Sequence, residues 1–472
     1  MKKEQKSSNV LIAKQKQKKE LNMLLDRNNT SINLTCQQYI CNEYKISENK
    51  SELTLEFVSQ QNTEEAFCIY CGSNKVHIHD NNKITLRDMP IWCGIKQFAN
   101  VSFHRYKCNH CGRAFNEDIG FKSPETRITI RAAQWIKSLL SHGLTISAVS
   151  ELTSIHWDTI RRIHTSVMEE ALDTRMKYLK DQGYKPTYLA VDEFAIHKGH
   201  TYASCVMDLQ TGDVLWVGKG RATEDFRKFF LEYDMEYLSN VKAFAMDMNA
   251  SYNKLVEEYM PNVEIVYDRY HMQAQFGKEV LGVVRLNEAR KHKDKALDIK
   301  AIYEDEDNPD LRRKLKQEYK EERKKYSSIK NARWSILTNS RNLKESKKSA
   351  LDTILEEHNE LAICYAMKEE MCRLFELADP EVARQRWIEW FEAAKESGIE
   401  PLIKFANLKE KRLEGLISHA THQISTGKLE GLNNKIKVAK RIGYGYRNDD
   451  YFFTLVRYIS LPAKYLVLPK KT

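Results

Sequence analysis

Glycine and proline are scarce, 18 and 9 among 472 residues, against usual shares of about 7% and 5%. A chain so poor in both is expected to be largely helical. No apolar run approaches the roughly 18–20 residues that span a bilayer. The start, Met1-Lys-Lys-Glu-Gln-Lys, lacks the apolar segment of a signal peptide. These absences predict a soluble, intracellular protein with no membrane contact. Hydrophobic residues, at 42% with 23 Tyr, 17 Phe and 7 Trp, exclude a mostly disordered chain. The length suits about three domains and a sizeable core.

The formal charge of +10 sits at the two ends. Residues 1–20 hold seven Lys against two Glu, and 428–472 hold ten Lys or Arg against three acids. Residues 272–425 are nearly balanced, with 30 basic and 28 acidic, as expected of solvated helix faces laced with i,i+4 pairs. The Lys-rich start reads as a solubilising leader, partly disordered, over 1–60. The C-terminal segment interleaves Tyr444, Tyr446, Tyr451 and Tyr458 with Lys440, Arg441, Arg447 and Arg457, which suits a phosphate backbone.

Of ten cysteines, four form two knuckles, Cys68-Ile-Tyr-Cys71-Gly72 and Cys108-Asn-His-Cys111-Gly112. Each puts two thiolates one tight turn apart, and together they offer the four sulfurs of a closed structural Zn²⁺ site. Strand-like alternation at Val76, Ile78, Val101 and Phe103 predicts a zinc ribbon with extended hairpins over 61–125. Cys36, Cys41, Cys93, Cys205, Cys364 and Cys372 read as small hydrophobes.

Over 126–182 the period turns helical, with Ile128, Ala132, Trp135, Ile136 and Leu139 recurring at three- and four-residue steps. Thr145 can cap a short helix ending near Thr153. A break at Ser154-Ile155-His156 precedes a second helix from Trp157. That helix buries Ile160, Ile163 and Val167 and leaves Trp157, Arg161, Arg162 and Thr165 largely outward. This is the layout of a helix-turn-helix that reads a major groove.

From Pro186 the sequence predicts strands over 187–196, 200–208, 212–218, 242–248 and 263–267. Helices are expected over 223–236 and 250–259. Three strands joined by hairpins, then helix, strand, helix, strand, is the order of a ribonuclease-H-like mixed sheet, assigned here to 183–271. Asp192 falls inside the first apolar strand and Asp247 at the end of the fourth, its neighbour in that order. An acid within an apolar strand is costly unless compensated. Mg²⁺ held by carboxylates would compensate it, and two ions about 3.5–4 Å apart serve an in-line displacement at phosphorus. The best third acid is Glu430. On a helix it shares one polar face with Asn433, Asn434 and Lys437, with Leu432, Ile436 and Val438 towards the other side.

These residues resemble the DDE transposases of bacterial insertion sequences, of the ISL-three group. The motifs are the two cysteine knuckles, the helix-turn-helix, Val191-Asp192-Glu193, Met246-Asp247-Met248, Asp268-Arg-Tyr-His271, Leu429-Glu430-Gly-Leu-Asn-Asn-Lys-Ile-Lys437 and Arg441-Ile-Gly-Tyr-Gly-Tyr-Arg447. They run from about Cys68 to Leu468. The resemblance implies Asp192, Asp247 and Glu430 as ligands of two Mg²⁺ ions, replaceable by Mn²⁺, with Asp268 and His271 in support. It implies cleavage at the terminal inverted repeats and transfer of the 3′-OH ends into target DNA. Trp157, Arg161, Arg162, Asn434, Lys437, Arg441 and Arg447 would contact double-stranded DNA, and pairing two ends implies a homodimer. A bacterial, nucleoid-associated cytoplasmic location follows. The alternatives are an inactive DNA-binding regulator, or a ribonuclease-H-like nuclease or resolvase that cuts without joining.

The 182 residues between Asp247 and Glu430 are too many for a loop inside a compact domain. Rich in Glu, Lys, Arg and Leu, they predict an all-α insertion over 272–425, anchored by Trp334, Trp387, Trp390 and Phe391, with a turn at Asp305–Pro309. The core resumes over 426–472. The fold class expected is therefore multidomain α+β: zinc ribbon, helix-turn-helix, and a ribonuclease-H-like sheet interrupted by an all-helical insertion.

Overall fold

The structure, a computed structural model, describes residues 38–91, 95–124, 126–197, 201–443 and 445–466. The Lys-rich run 1–20, Cys36, Cys93, His200, Tyr444 and Leu468 lie outside them. The chain forms two compact units, Met1–Ala171 with Pro462–Thr472, and Leu172–Leu461.

In the first unit, β1 (Tyr39–Ile46) and β2 (Glu52–Ser59) pair antiparallel. Over 39–59 this corrects the reading of 1–60 as a leader; residues 1–37 lie outside the described ones. Leu53, Leu55 and Phe57 point inward at every second position of β2 and are buried, the period of a half-buried strand. The run was legible as a strand, but the Lys-rich start dominated the composition. β3 (Val76–Arg87) and β4 (Lys96–Cys108) make a long antiparallel ribbon. The other edge of β4 pairs with β2 in parallel, and further on with β5 (Ala114–Asn116). The order is β1-β2-β4-β3, with β5 beside β4.

Helices α1 (Ile130–Ser141), α2 (Ile146–Thr153) and α3 (Trp157–Asp181) follow. Thr129 and Thr145 cap α1 and α2, their hydroxyls accepting from the Ala132 and Ala148 amides. Ser154 turns the chain with a left-handed φ of 52°, so α3 leaves α2 after a three-residue break. Ile136, Val149, Ile155, Ile160 and Ile163 close one small core between the three helices. Buried Asp88, at the end of the ribbon, ties it to α1 by accepting from Thr129 Oγ1, Gln97 Nε2 and Arg131.

The second unit opens with β6 (Tyr188–His197), β7 (Thr201–Asp208) and β8 (Val214–Lys219). After α4 (Thr223–Glu232) come β9 (Ala243–Met246), α5 (Ala250–Tyr259) and β10 (Glu264–Tyr267). The sheet order is β10-β9-β6-β7-β8. The pairs β6–β7 and β7–β8 are antiparallel, while β6–β9 and β9–β10 are parallel.

The long excursion is helical: α6 (Arg269–Phe276), a π-turn (Gly277–Leu281), α7 (Gly282–Asp305), α8 (Pro309–Asn331), α9 (Arg333–Leu337), α10 (Glu345–Glu357) and α11 (Asn359–Leu374). It continues through α12 (Pro380–Glu396), α13 (Glu400–Glu410) and α14 (Leu413–Thr421). Asn308 caps α8 at the turn that Pro309 marks, accepting from the Asp310 and Leu311 amides. Trp387, Trp390 and Phe391 are buried as expected, but Trp334 is 69% exposed. On the short α9 the inward position is taken by Ile336, and two residues earlier the helix faces the other way. The chain returns through α15 (Gly427–Ile442) and α16 (Asp449–Ser460). α14 lies against β10 so closely that a Cβ on Gly415 would come within 2.4 Å of the Tyr267 ring. Among the described residues, no helix is long and apolar enough to cross a membrane.

Candidate functional site

Asp192 stands in β6 between buried Val191 and Phe194. The β6–β9 register pairs Leu189 with Phe244 and Ala190 with Ala245, so Asp192 and Asp247 each lie two residues past a paired level. Asp268 follows β10, its amide donating to the Met246 carbonyl at 3.0 Å. Three acids thus gather at the C-terminal ends of β9 and β10 and beside them on β6. Burial pushes the Asp192 carboxyl above its usual range, against the Glu193 amide and the Asn433 side chain, which donate to it at 2.7 Å each. The Met248 amide donates to Asp247 at 2.6 Å. Asp268 caps α6 and lies 3.4 Å from His271 Nδ1. Burial works to raise the Asp268 pKa, but His271 and the Tyr270 amide hold it low. His271 itself is pushed up to about 9, first by Asp268 and then by the fields of Asp247 and Asp192. That direction favours the imidazolium form, in the fields of three aspartates.

Glu430 arrives on α15, which is fastened across the sheet at three levels. Lys428 Nζ donates to the Leu209 carbonyl at 2.8 Å and also to that of Gln210. Asn433 reaches Asp192, and Lys440 Nζ donates to the Ala195 carbonyl at 2.6 Å. Leu429, Leu432 and Ile436 are the buried stripe. Val438, expected on that side, is 54% exposed, because it lies two residues past Ile436 on the far side of the helix. Glu430 is exposed and shares a cleft of about 450 Å³ with Asp268 and Thr426. No three of these acids bring their oxygens within 4.8 Å of one another. Among the described residues, no Lys or Arg forms an ion pair with Asp192, Asp247 or Glu430. One neighbour escaped the sequence reading: Lys409, buried on α13, donates to Gln275 and lies in the field of Asp247. Nothing in its Lys- and Glu-rich surroundings sets it apart.

The four knuckle cysteines bring their sulfurs within 4.8 Å of one another. Cys68–Cys111 and Cys71–Cys108 lie at 3.6 and 3.7 Å. Sulfurs placed tetrahedrally at about 2.3 Å from a zinc ion lie about 3.8 Å apart, so the cluster fits one structural metal ion. Gly72 and Gly112 take φ of 67° and 72° and donate their amides to the Cys68 and Cys108 carbonyls. Only a left-handed residue lets each loop close in this way. The amides of Cys111 and His110 lower the Cys108 thiol to about 6, favouring the thiolate that a metal needs.

On α3, Trp157 and Arg162 are exposed and Arg161 is half-buried, its guanidinium over the Trp157 ring. Asp158 pairs with both arginines. Asn434, Lys437, Arg441 and Arg447 are exposed. Other described residues of the basic, Tyr-rich segment are engaged in packing. Tyr451 and Tyr458 are buried, Lys440 is tied to β6, and burial lowers the pKa of Arg457.

A model of the helix-turn-helix domain of transposase family ISL3 matches residues 117–166. A model of the transposase itself, of the DDE type in the same family, matches 189–456, more than half of the chain. The chain belongs to the ISL3 family of DDE transposases. The matched span of the transposase contains Asp192, Asp247, Asp268, His271 and Glu430. It is 32% identical to the transposase for insertion sequence element IS1001 of Bordetella parapertussis, over 86% of this chain and 91% of that one. It is also 24% identical to the transposase for insertion sequence element IS1557 of Mycobacterium tuberculosis, over 66% and 67% of the two chains.

Proposed function

We propose that this transposase cuts DNA at the terminal inverted repeats of its element and joins the freed 3′-OH ends to target DNA, using Asp192, Asp247 and Glu430. The observation that carries the reading is the 2.7 Å bond from Asn433 to Asp192. It draws the first turn of α15, with Glu430, to the acid in the middle of the sheet. The strand order β10-β9-β6-β7-β8, with antiparallel β6–β8 and parallel β9 and β10, supports a ribonuclease-H-like core.

The donor set fits Mg²⁺, with Mn²⁺ as substitute. It consists of hard carboxylate oxygens, and the Asp192 group is largely buried, with the field of His271 but no Lys or Arg ion pair among the described residues to offset its charge. Asp192, Asp247 and Glu430 would hold two such ions, which when bound activate the attacking oxygen and stabilise the leaving one. Asn433 orients Asp192, and Asp268 holds His271 in the protonated form near the acids. The first displacement uses water and releases a 3′-OH; in the second, that 3′-OH attacks a target phosphodiester. Trp157, Arg161 and Arg162 would read the terminal repeats. Asn434, Lys437, Arg441 and Arg447 would bind phosphates. One structural Zn²⁺ in the cysteine cluster would make the N-terminal sheet a zinc ribbon. A homodimer would hold two ends together.

Asn433→Ala removes the amide that orients Asp192. The Mg²⁺ concentration for half-maximal cleavage should rise roughly ten- to hundredfold, the usual cost of losing a group that positions a metal ligand. A titration of cleavage against Mg²⁺ that overlays the wild type would show that Asn433 has no such part. The joining step tests the function itself. Pre-cleaved repeat ends with a free 3′-OH, incubated with plasmid and Mg²⁺, should yield covalently joined products. Cleavage of intact ends without any joined product would reduce the protein to a nuclease.

A further inference from the structure

We infer that a second cavity, in the helical insertion, binds an unpaired stretch of DNA strand with one base stacked on Trp334. The inference rests on DNA being the substrate, and deepens that reading. The cavity, of about 670 Å³ and open to solvent, is bordered by α6, the π-turn, α7 and α9. Lys278, Arg285 and Arg333 line it, and no Asp or Glu does. Arg285 is 7% exposed, and its Nη1 donates only to the Lys330 and Ile329 carbonyls, at 2.6 and 3.4 Å. Burial and the neighbouring Arg333 charge both lower its pKa. A buried guanidinium beside a second one, with no carboxylate opposite, leaves a positive field that an anion completes.

The lips of the cavity are aromatic. Trp334 is 69% and Tyr270 63% exposed, and the Arg333 guanidinium lies 5.3 Å from the Trp334 ring centre. Two large rings left in water beside three cations match the pattern of a single-strand site, where bases stack on rings and phosphates meet the charges. A duplex keeps its bases stacked on one another and would use the cations alone. Packing explains the placement of Trp334. A Cβ on Gly277 would come within 2.6 Å of Leu337, so the π-turn draws α9 close and turns Trp334 outward. Tyr270 also lines the cleft that holds Asp268 and Glu430. Tyr270 thus borders both, and would lead a strand opened at the cut from one to the other.

The test uses the full chain and a fluorescent single-stranded dT oligonucleotide, followed by anisotropy without added divalent metal. Wild type should bind it. Trp334→Ala should weaken that binding roughly ten- to hundredfold, the usual loss of one base–aromatic stack, while Trp334→Phe retains most of it. Lys278→Ala with Arg333→Ala should flatten the dependence on salt. Binding of repeat duplex should not change with Trp334→Ala. Equal strand affinity for Trp334→Ala and wild type, or no strand binding by wild type, would overturn the inference. Because no cleavage is required, failure of the proposed carboxylate chemistry would appear separately, as binding without cutting.

Discussion

Glu430→Gln is expected to stop cleavage while leaving duplex binding and folding intact. The side chain is exposed, stands in the first turn of α15 and has no ion-pair partner among the described residues. Its charge at a helix N-terminus stabilises the helix by about 0.3–1 kcal/mol, so the isosteric amide costs little more than that. The helix itself remains fastened by Lys428, Asn433 and Lys440. Neutralising a carboxylate that holds a catalytic metal removes several kcal/mol from the barrier-lowering effect, which is roughly a thousandfold or more in rate. The pair of measurements is nicking of a supercoiled plasmid carrying the repeats, and anisotropy on a repeat duplex. Wild-type cutting by this variant would remove Glu430 from the site. Loss of both activities would instead point to a folding defect, which thermal melting would reveal.

Cys68→Ser should release the metal from the cysteine cluster and unravel that end of the β3–β4 ribbon. Among the described residues, the core beneath the cluster consists of Ala66, Tyr106, Phe115, the half-buried Val76 and the cysteines themselves. So small a core cannot hold the two knuckles without an added link. Structural zinc in isolated fingers contributes about 10–16 kcal/mol, far more than these side chains supply. Mass spectrometry under native conditions should find one zinc per wild-type chain and none in the variant. Limited proteolysis should then cut near 66–75 and 108–116. The 172–461 unit, which has its own core, should stay resistant. A variant that keeps both its metal and its protease resistance would refute a structural role for the cluster.

Local chemistry made parts of this structure legible in advance. Thr145, the break at Ser154–His156 and the start of α3 at Trp157 follow from cap and turn preferences carried by a few neighbouring residues. The order of strands β6 to β10 follows from apolar runs separated by turns. Asp192 stood out because an acid interrupts one such run, and Glu430 because an acid, two amides and a lysine recur on one helical face. What escaped depended on distant parts of the chain. Trp334 looks like a core residue until Ile336 takes the inward side of α9. Tyr451, Tyr458 and Arg457 look like a nucleic-acid surface until α16 packs them away. Lys409 and Arg285 are ordinary members of a charged helical stretch, and only the fold reveals that each is buried.

The aromatic cluster of the sheet runs without interruption into the helices that divide it. Phe244, Tyr252, Phe276, Trp387, Trp390 and Phe405 belong to one buried set. The stretch between β10 and α15 therefore cannot be spliced out and the flanking pieces rejoined. Such a deletion would leave one side of Tyr267 and β10 bare of Gly415 and its helix. Length changes among descendants of this gene are instead to be expected around 304–318, where the α7–α8 hairpin ends in mostly exposed residues and an added or lost turn disturbs no core.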